Sequence, residues 1–321
     1  QEVGLRRQAA NESLRNHGRE GERPRSGRWS EGRHSGRKAR ATAPVARPRH
    51  RSDQLLGPRH RCIRCRRGQC PQVEVGGIGQ EVLLKSRVLV VGAGGLGSPL
   101  LLYLAAAGVG VLGVIDPDVV DLSNLQRQII HDTAAIGTPK VESARARLEA
   151  INPDVRLEIH RERLTAANAM GLIADYDVVA DGTDNFAARY LLADACHLGG
   201  RTLVSAAMLR FDGQISTFKS HLGGPNPCYR CIFREPPPRG LIPSCAEAGV
   251  LGALAGAVGS IQAIEVIKEV LGIGESLSGN LLMYDALSTS FHKVRVKPDP
   301  ECPLCGSHPT ITDLAAHGIA S

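Results

Sequence analysis

The chain has 321 residues, 42% of them apolar and only 3% aromatic, enough for one large domain or two ordinary ones with cores of Val, Leu, Ile and Ala. Its net charge of +7 is uneven: residues 1–70 hold 19 Lys and Arg against 6 Asp and Glu, and the remainder holds 20 against 26. The basic character therefore belongs to the tail, which excludes a uniformly basic, nucleic-acid-coating body.

Residues 1–70 are rich in Arg, Gly, Pro and Ser without an apolar period. They predict a disordered basic tail, read as a solvated extension and not as a nucleic-acid arm. No apolar segment suggests a secretory leader, so a cytoplasmic setting is expected. The globular part begins near Val73. It predicts a domain over residues 71–310 and a C-terminal tail over residues 311–321.

Val82–Leu84 end a predicted helix ahead of a strand at Val88–Val91. A glycine loop follows, then a helix over Ser98–Ala107 with Ser98 as its cap and Pro99 in its first turn. Gly108 ends that helix. A strand over Val109–Ile115 runs into Asp116. Next come an amphipathic helix (Lys140–Ile151), strands at Val155–His160 and Asp177–Ala180, a helix (Phe186–Leu198) and a strand (Thr202–Ser205). This alternation predicts a doubly wound sheet. Beyond Ala206 the pattern changes. Gln214–Lys219 alternates as an antiparallel strand does, and strands near Leu281–Tyr284 and Phe291–Val296 follow a long helix at Leu251–Leu271. Val250–Ile267 is apolar but interrupted by Ser260, Gln262 and Glu265, which predicts a buried helix and not a membrane span. The expected class is α/β: a Rossmann-like, mostly parallel sheet continued by antiparallel strands, with a structural zinc site.

The stretch "VLVVGAGGLG" places Gly92, Gly94 and Gly97 in G-x-G-x-x-G spacing between a strand and a helix, and Asp116 follows at the end of the next strand. The pattern predicts a nucleotide without saying which. Asn124 and Arg127 in "DLSNLQRQ", Lys140 in "GTPKVESA" and Asp184 in "DGTDN" fall at the same sheet edge. Two cations and an exposed carboxylate suit a triphosphate with magnesium better than NAD. Cys228-x2-Cys231 and Cys302-x2-Cys305 have the spacing of a tetrahedral thiolate zinc site that staples the Pro-rich segment to the C-terminus. Cys62 and Cys65 read as incidental, and Cys196 as core. Cys245, ahead of a helix start in "PSCAEAGV", is either a nucleophile or a merely exposed thiol.

Taken in order, "VLVVGAGGLGSP", "DPDVVDLSNLQRQ", "GTPKVESA", "DGTDN", "RFDGQ", "CYRC", "CAEAGV" and "CPLCG" closely resemble the MoeB/ThiF/HesA family, bacterial relatives of ubiquitin-activating enzymes. The resemblance covers Gly76 to Thr310. It implies a Rossmann-like ATP-binding fold, a homodimer, and adenylation of the C-terminal Gly-Gly of a small ubiquitin-like sulfur-carrier protein. It assigns Gly92, Gly94, Gly95 and Gly97 to the nucleotide loop and Asp116 to the ribose. Ser123, Asn124, Leu125, Gln126, Arg127 and Lys140 go to the triphosphate, and Asp184 to Mg2+ with Asn185 beside it. Cys228, Cys231, Cys302 and Cys305 match the Zn2+ set, and Cys245 the loop cysteine that some members use covalently. Relatives carry an R-Y-x-R-Q-like stretch where this chain reads "CIRCRRGQC", with Gln69 in place and the Tyr absent. The chain ends soon after Cys305 without a rhodanese domain, so a separate sulfur donor, a rhodanese or cysteine desulfurase, is expected. Adenylation of a tRNA base, a peptide or a small molecule is the alternative within the fold. An NAD-dependent oxidoreductase would leave Lys140, Asp184 and the cysteine pairs without a role.

Overall fold

The computed structural model describes residues 75–238 and 249–318. The predicted tail at residues 1–70, Cys62, Cys65 and Cys245 lie outside the described residues.

The strand predicted at the glycine loop is β1 (Arg87–Val91). Its unbroken apolar run reflects burial on both faces. Val88 and Val90 enter one core with Leu83, Leu104, Leu148 and Val266. Leu89 and Val91 enter another with Ile173, Leu192 and Leu203. The first core lies under α1 (Gly76–Lys85), α2 (Gly97–Ala107), α3 (Lys140–Ile151) and α7 (Gly252–Leu271). The second lies under α4 (Ala166–Ile173) and α5 (Phe186–Leu198).

The eight-stranded sheet has the order β3-β2-β1-β4-β5-β6-β7-β8, with β2 (Val111–Ile115), β3 (Arg156–His160), β4 (Val178–Asp181) and β5 (Thr202–Leu209). Strands β3 to β5 are parallel to their neighbours around β1. From β5 the sheet continues antiparallel through β6 (Asp212–Phe218), β7 (Asn280–Asp285) and β8 (Ser290–Arg295). The chain winds outward from β1 to β3 and returns on the other side of β1 as β4. That reversal opens a crevice at the C-terminal ends of β1 and β4, where doubly wound sheets bind ligands.

Several local expectations shift. Ser98 is not the cap of α2. The helix begins at Gly97, and the Ser98 hydroxyl donates to the Gly94 carbonyl at 2.6 Å. Strand β2 begins at Val111 because the N–H groups of Val109 and Gly110 donate to the Leu104 and Leu83 carbonyls at two helix ends. Strand β5 runs on to Leu209, where a tight hairpin through Arg210 and Phe211 pairs Leu209 with Asp212. Helix α4 had no counterpart in the expected elements. Thr165 and Asn168 start it through a reciprocal capping box. The polar interruptions of α7 are satisfied in part: the Gln262 amide donates to the Asp181 and Val204 carbonyls at 2.8 and 3.0 Å, while Gln262 Oε1 and Glu265 Oε2 are buried without a hydrogen-bond partner among the described residues. Among the described residues no helix is long and apolar enough to cross a membrane.

The glycines of the loop have separate jobs. Gly92 has φ 99°, a backbone conformation that costs glycine little. A Cβ on Gly97 would collide with the Gly92 carbonyl oxygen, backbone against backbone. Gly97→Ala is therefore expected to cost about 2–3 kcal/mol by pushing α2 off the loop. Urea unfolding measures this, and an unchanged midpoint would show that the loop yields freely.

Candidate active site

A cavity of about 830 Å³ opens beyond the glycine loop. It is lined by Gly92, Gly94 and Gly95 of the loop, by Asp116 and Asp118, and by Asp184 and Asn185. Arg127 and Lys140 supply cations to the same lining. Gly97 is buried beneath the loop, where it lets α2 and β1 close up.

The loop residue Ala93 is held by both its polar groups. Its N–H donates to Asp116 Oδ2 at 2.8 Å, and its carbonyl lies 2.9 Å from His131 Nε2. A carbonyl only accepts, so His131 carries its proton on Nε2, and Nδ1 accepts from the Ser143 hydroxyl at 2.9 Å. Burial pushes the Asp116 carboxyl above its ordinary range, opposed by Lys140 and by the N–H groups of Asp118 and Ala93.

Lys140 is only 6% exposed at the first turn of α3, and its Nζ donates to Asp118 Oδ2 at 2.9 Å. That leaves further ammonium protons for an anion. Arg127 is aimed by the turn before it. Asp121 caps a 3-10 turn at Leu122–Asn124, and Arg127 Nη1 donates to the Ser123 carbonyl at 3.2 Å. Ser123, Asn124, Leu125 and Gln126 build this turn and do not line the cavity. Asn185 caps α5 by accepting from the Ala188 N–H at 2.9 Å. This frees the adjacent Asp184, which is exposed and whose carboxylate has no hydrogen-bond partner among the described residues.

The ThiF family model matches residues 69–304. The chain belongs to the ThiF family. It is 51% identical over 243 residues to the sulfur carrier protein adenylyltransferase of Thermus thermophilus, covering 75% of this chain and 90% of that protein. It is 52% identical over 242 residues to the adenylyltransferase and sulfurtransferase MOCS3 of Bos taurus, again over 75% of this chain, but it spans only 52% of that longer protein. Among solved structures, Escherichia coli MccB superposes with a TM-score of 0.63 at 18% identity, over 72% of this chain and 68% of MccB. At that identity the likeness is one of fold.

In this ThiF-family chain the four cysteines converge as expected. The sulfurs of Cys228, Cys231, Cys302 and Cys305 all lie within 4.8 Å of one another. The Cys228–Cys231, Cys228–Cys302 and Cys231–Cys305 separations are 3.8, 3.4 and 3.4 Å. A tetrahedrally held ion about 2.3 Å from each sulfur would give edges of about 3.8 Å, so the cluster fits a metal. The Cys231 sulfur also accepts from the Asp299 N–H at 3.4 Å, an acceptor role that suits a metal-bound thiolate. Cys196 is fully enclosed, as read from its helix, and burial pushes its thiol far up. Cys245 is outside the described residues.

The cavity also holds residues that the motifs did not single out: Asp118, Gln128, Arg189, Tyr229 and Phe233. Arg189 carried a readable signal, a charge on the core face of a predicted helix. The others reach the site through tertiary contacts that one sequence does not display.

Burial depresses the His131 pKa below its ordinary 6.5. The unfolded chain therefore takes up a proton where the folded chain does not. The stability carried by neutral His131 is fully present above the unfolded value and is lost as pH falls through the folded one. Wild-type protein is expected to lose more stability than His131→Gln between about pH 7.5 and about pH 5.5. Parallel urea titrations at the two pH values check this, and equal losses would remove His131 from the account.

Proposed function

We propose that this protein adenylates the C-terminal Gly-Gly carboxylate of a small ubiquitin-like sulfur-carrier protein, with ATP and Mg2+, ahead of thiocarboxylation. One observation carries the reading: Asp184, whose carboxylate has no hydrogen-bond partner among the described residues, lines the same cavity as the glycine loop, Arg127 and Lys140, and that cavity has room for a nucleotide. The names of the Thermus and bovine relatives support the same reaction.

The carrier carboxylate attacks the α-phosphorus of ATP, the bond to the pyrophosphate oxygen breaks, and an acyl-adenylate remains. Gly92, Gly94 and Gly95, with the start of α2, offer backbone N–H groups to phosphate. Asp116 faces the ribose. Arg127 and Lys140 offset charge that grows on the phosphate oxygens. Ser123, Asn124, Leu125 and Gln126 act by holding Arg127 in place. Asp184, with Asn185 beside it, would hold Mg2+, which screens phosphate charge when bound. Cys245 is the candidate thiol for the subsequent acyl transfer. Cys228, Cys231, Cys302 and Cys305 would hold Zn2+ in a closed site without an open position for catalysis.

The adenylation domain takes in residues 71–310. The protein acts as a homodimer in the cytoplasm and receives sulfur from a separate donor, a rhodanese or a cysteine desulfurase. ATP–pyrophosphate exchange, run with magnesium and with or without a purified carrier ending in Gly-Gly, tests the reading. Exchange that depends on the carrier is expected. Exchange supported equally by a tRNA, a peptide or a small acid would overturn the substrate assignment.

A further inference from the structure

Helix α5 joins the cavity to the cysteine cluster. Arg189, one turn into it, is only 7% exposed. Its Nη2 donates to the Thr183 carbonyl at 2.9 Å, and its Nε lies 3.3 Å from Asp181 Oδ2. Thr183 in turn donates its N–H and its hydroxyl to Asp181 Oδ1 at 2.9 and 2.6 Å. These contacts close a ring around the residue immediately before Asp184, and so fix the backbone from which the Asp184 side chain departs.

A second set of contacts reaches Arg189 from the cysteines. Tyr229 is the first residue of α6 (Tyr229–Ile232), the single turn strung between Cys228 and Cys231. Its hydroxyl interacts electrostatically with the Arg189 guanidinium, and both residues line the cavity. The next residue, Arg230, grips Asp194 of α5 with both prongs, at 2.8 and 2.7 Å. Tyr190 packs edge-on against Tyr229 with ring centroids 5.1 Å apart, and its hydroxyl donates to the Phe233 carbonyl at 3.1 Å. Helix α6 is thus pinned to α5 along its length and to the cysteine cluster at Cys228 and Cys231.

We propose that Arg189 is a positioning residue for a divalent cation at Asp184, and that Tyr229 couples that cation site to the metal-binding cysteine cluster. The proposal rests on the reading of Asp184 as the magnesium ligand. Arginine suits the task because one planar fork reaches the Thr183 carbonyl and the Asp181 carboxylate at once; lysine is a point charge and cannot keep both. Movement of α6 would shift the ring hydroxyl of Tyr229, then the fork of Arg189, then the Thr183 carbonyl. Partners one step behind a metal ligand commonly set its affinity by about 10–100-fold.

The test replaces magnesium with Mn2+ and follows its binding by electron paramagnetic resonance, using the full chain and a non-hydrolysable ATP analogue. Zinc content is measured on every sample. Arg189→Lys is expected to weaken Mn2+ binding by about tenfold or more, and Tyr229→Phe by a smaller but measurable factor, with zinc content unchanged. A purely structural role would lower the melting temperature and leave Mn2+ affinity alone. Wild-type affinity in both variants overturns the proposal, and wild-type affinity in Tyr229→Phe alone overturns the coupling. If Arg189→Lys does not fold, Tyr229→Phe, which loses one oxygen, decides. Asp184→Asn serves as the reference: if it too binds Mn2+ normally, the magnesium reading itself fails, whatever Arg189 does.

Discussion

Asp184→Asn is expected to reduce carrier-dependent ATP–pyrophosphate exchange by about 10²–10³-fold, the usual cost of removing one group that stabilises charge in a transition state. The substitution keeps the size and shape of the side chain and removes its charge. Asn185, not Asp184, caps α5, so the helix start survives the change. The melting temperature is expected to stay within about 1 °C of wild type, as for surface changes that break no buried contact. Initial exchange rates at saturating ATP, measured beside a thermal melt, separate the two effects. Retention of full exchange would place the metal elsewhere in the cavity. Loss of exchange together with folding would mean that Asp184 holds the loop and not an ion.

Removing metal from the cysteine cluster is expected to produce the largest change in stability. Structural zinc is worth about 10–16 kcal/mol to small peptides that fold only around it. Here the sheet and its apolar cores fold on other grounds, so only part of that appears, about 4–6 kcal/mol, or a fall in melting temperature of about 10–20 °C. The cluster fastens α6 to the segment that carries Cys302 and Cys305. Just beyond, Leu314 is buried and His317 Nε2 lies 2.8 Å from Asp194 Oδ2. Burial alone would push the Asp194 carboxyl up, but hydrogen bonds from His317 and Arg230 hold it below its ordinary range. Loss of the metal would loosen both of these partners. Melts before and after treatment with a strong chelator, together with a Cys302→Ser variant, check the prediction. A chelated protein with an unchanged melt would reduce the cysteines to ordinary packing.

The glycine loop, its flanking strand and helix, Asp116, Lys140 and the paired cysteines were all legible because each signal is local. Residues a few positions apart state their own geometry, and C-x2-C puts two sulfurs on one turn. Helix α4 was not legible. It has eight residues, opens on a Thr–Asn capping box in place of the usual glutamate, and contains Gly171. The extension of β5 was hidden in a small-residue run whose strand character comes from its pairing with β6. Arg189 and Tyr229 are 40 positions apart in the sequence, and only the path of the chain from α5 through β5 and β6 to Cys228 brings them into one cavity. In the "SNLQR" stretch only Arg127 lines the cavity, and the sequence could not say that the Ser123 carbonyl would hold its side chain.

The two outer strands of the sheet have a bearing on how the protein is handled. β3 and β8 each leave one row of backbone N–H and C=O groups without a neighbouring strand in the sheet, an invitation to edge-to-edge aggregation. Both carry charge along that border: Arg156 and Glu158 on β3, and Lys293 and Arg295 among the exposed residues of β8. Next to Phe291 and Val294, both about half exposed, Lys293 and Arg295 act as gatekeepers. Neutralising them for crystallisation or labelling would trade solubility for a sticky ribbon, so surface engineering belongs on the helices.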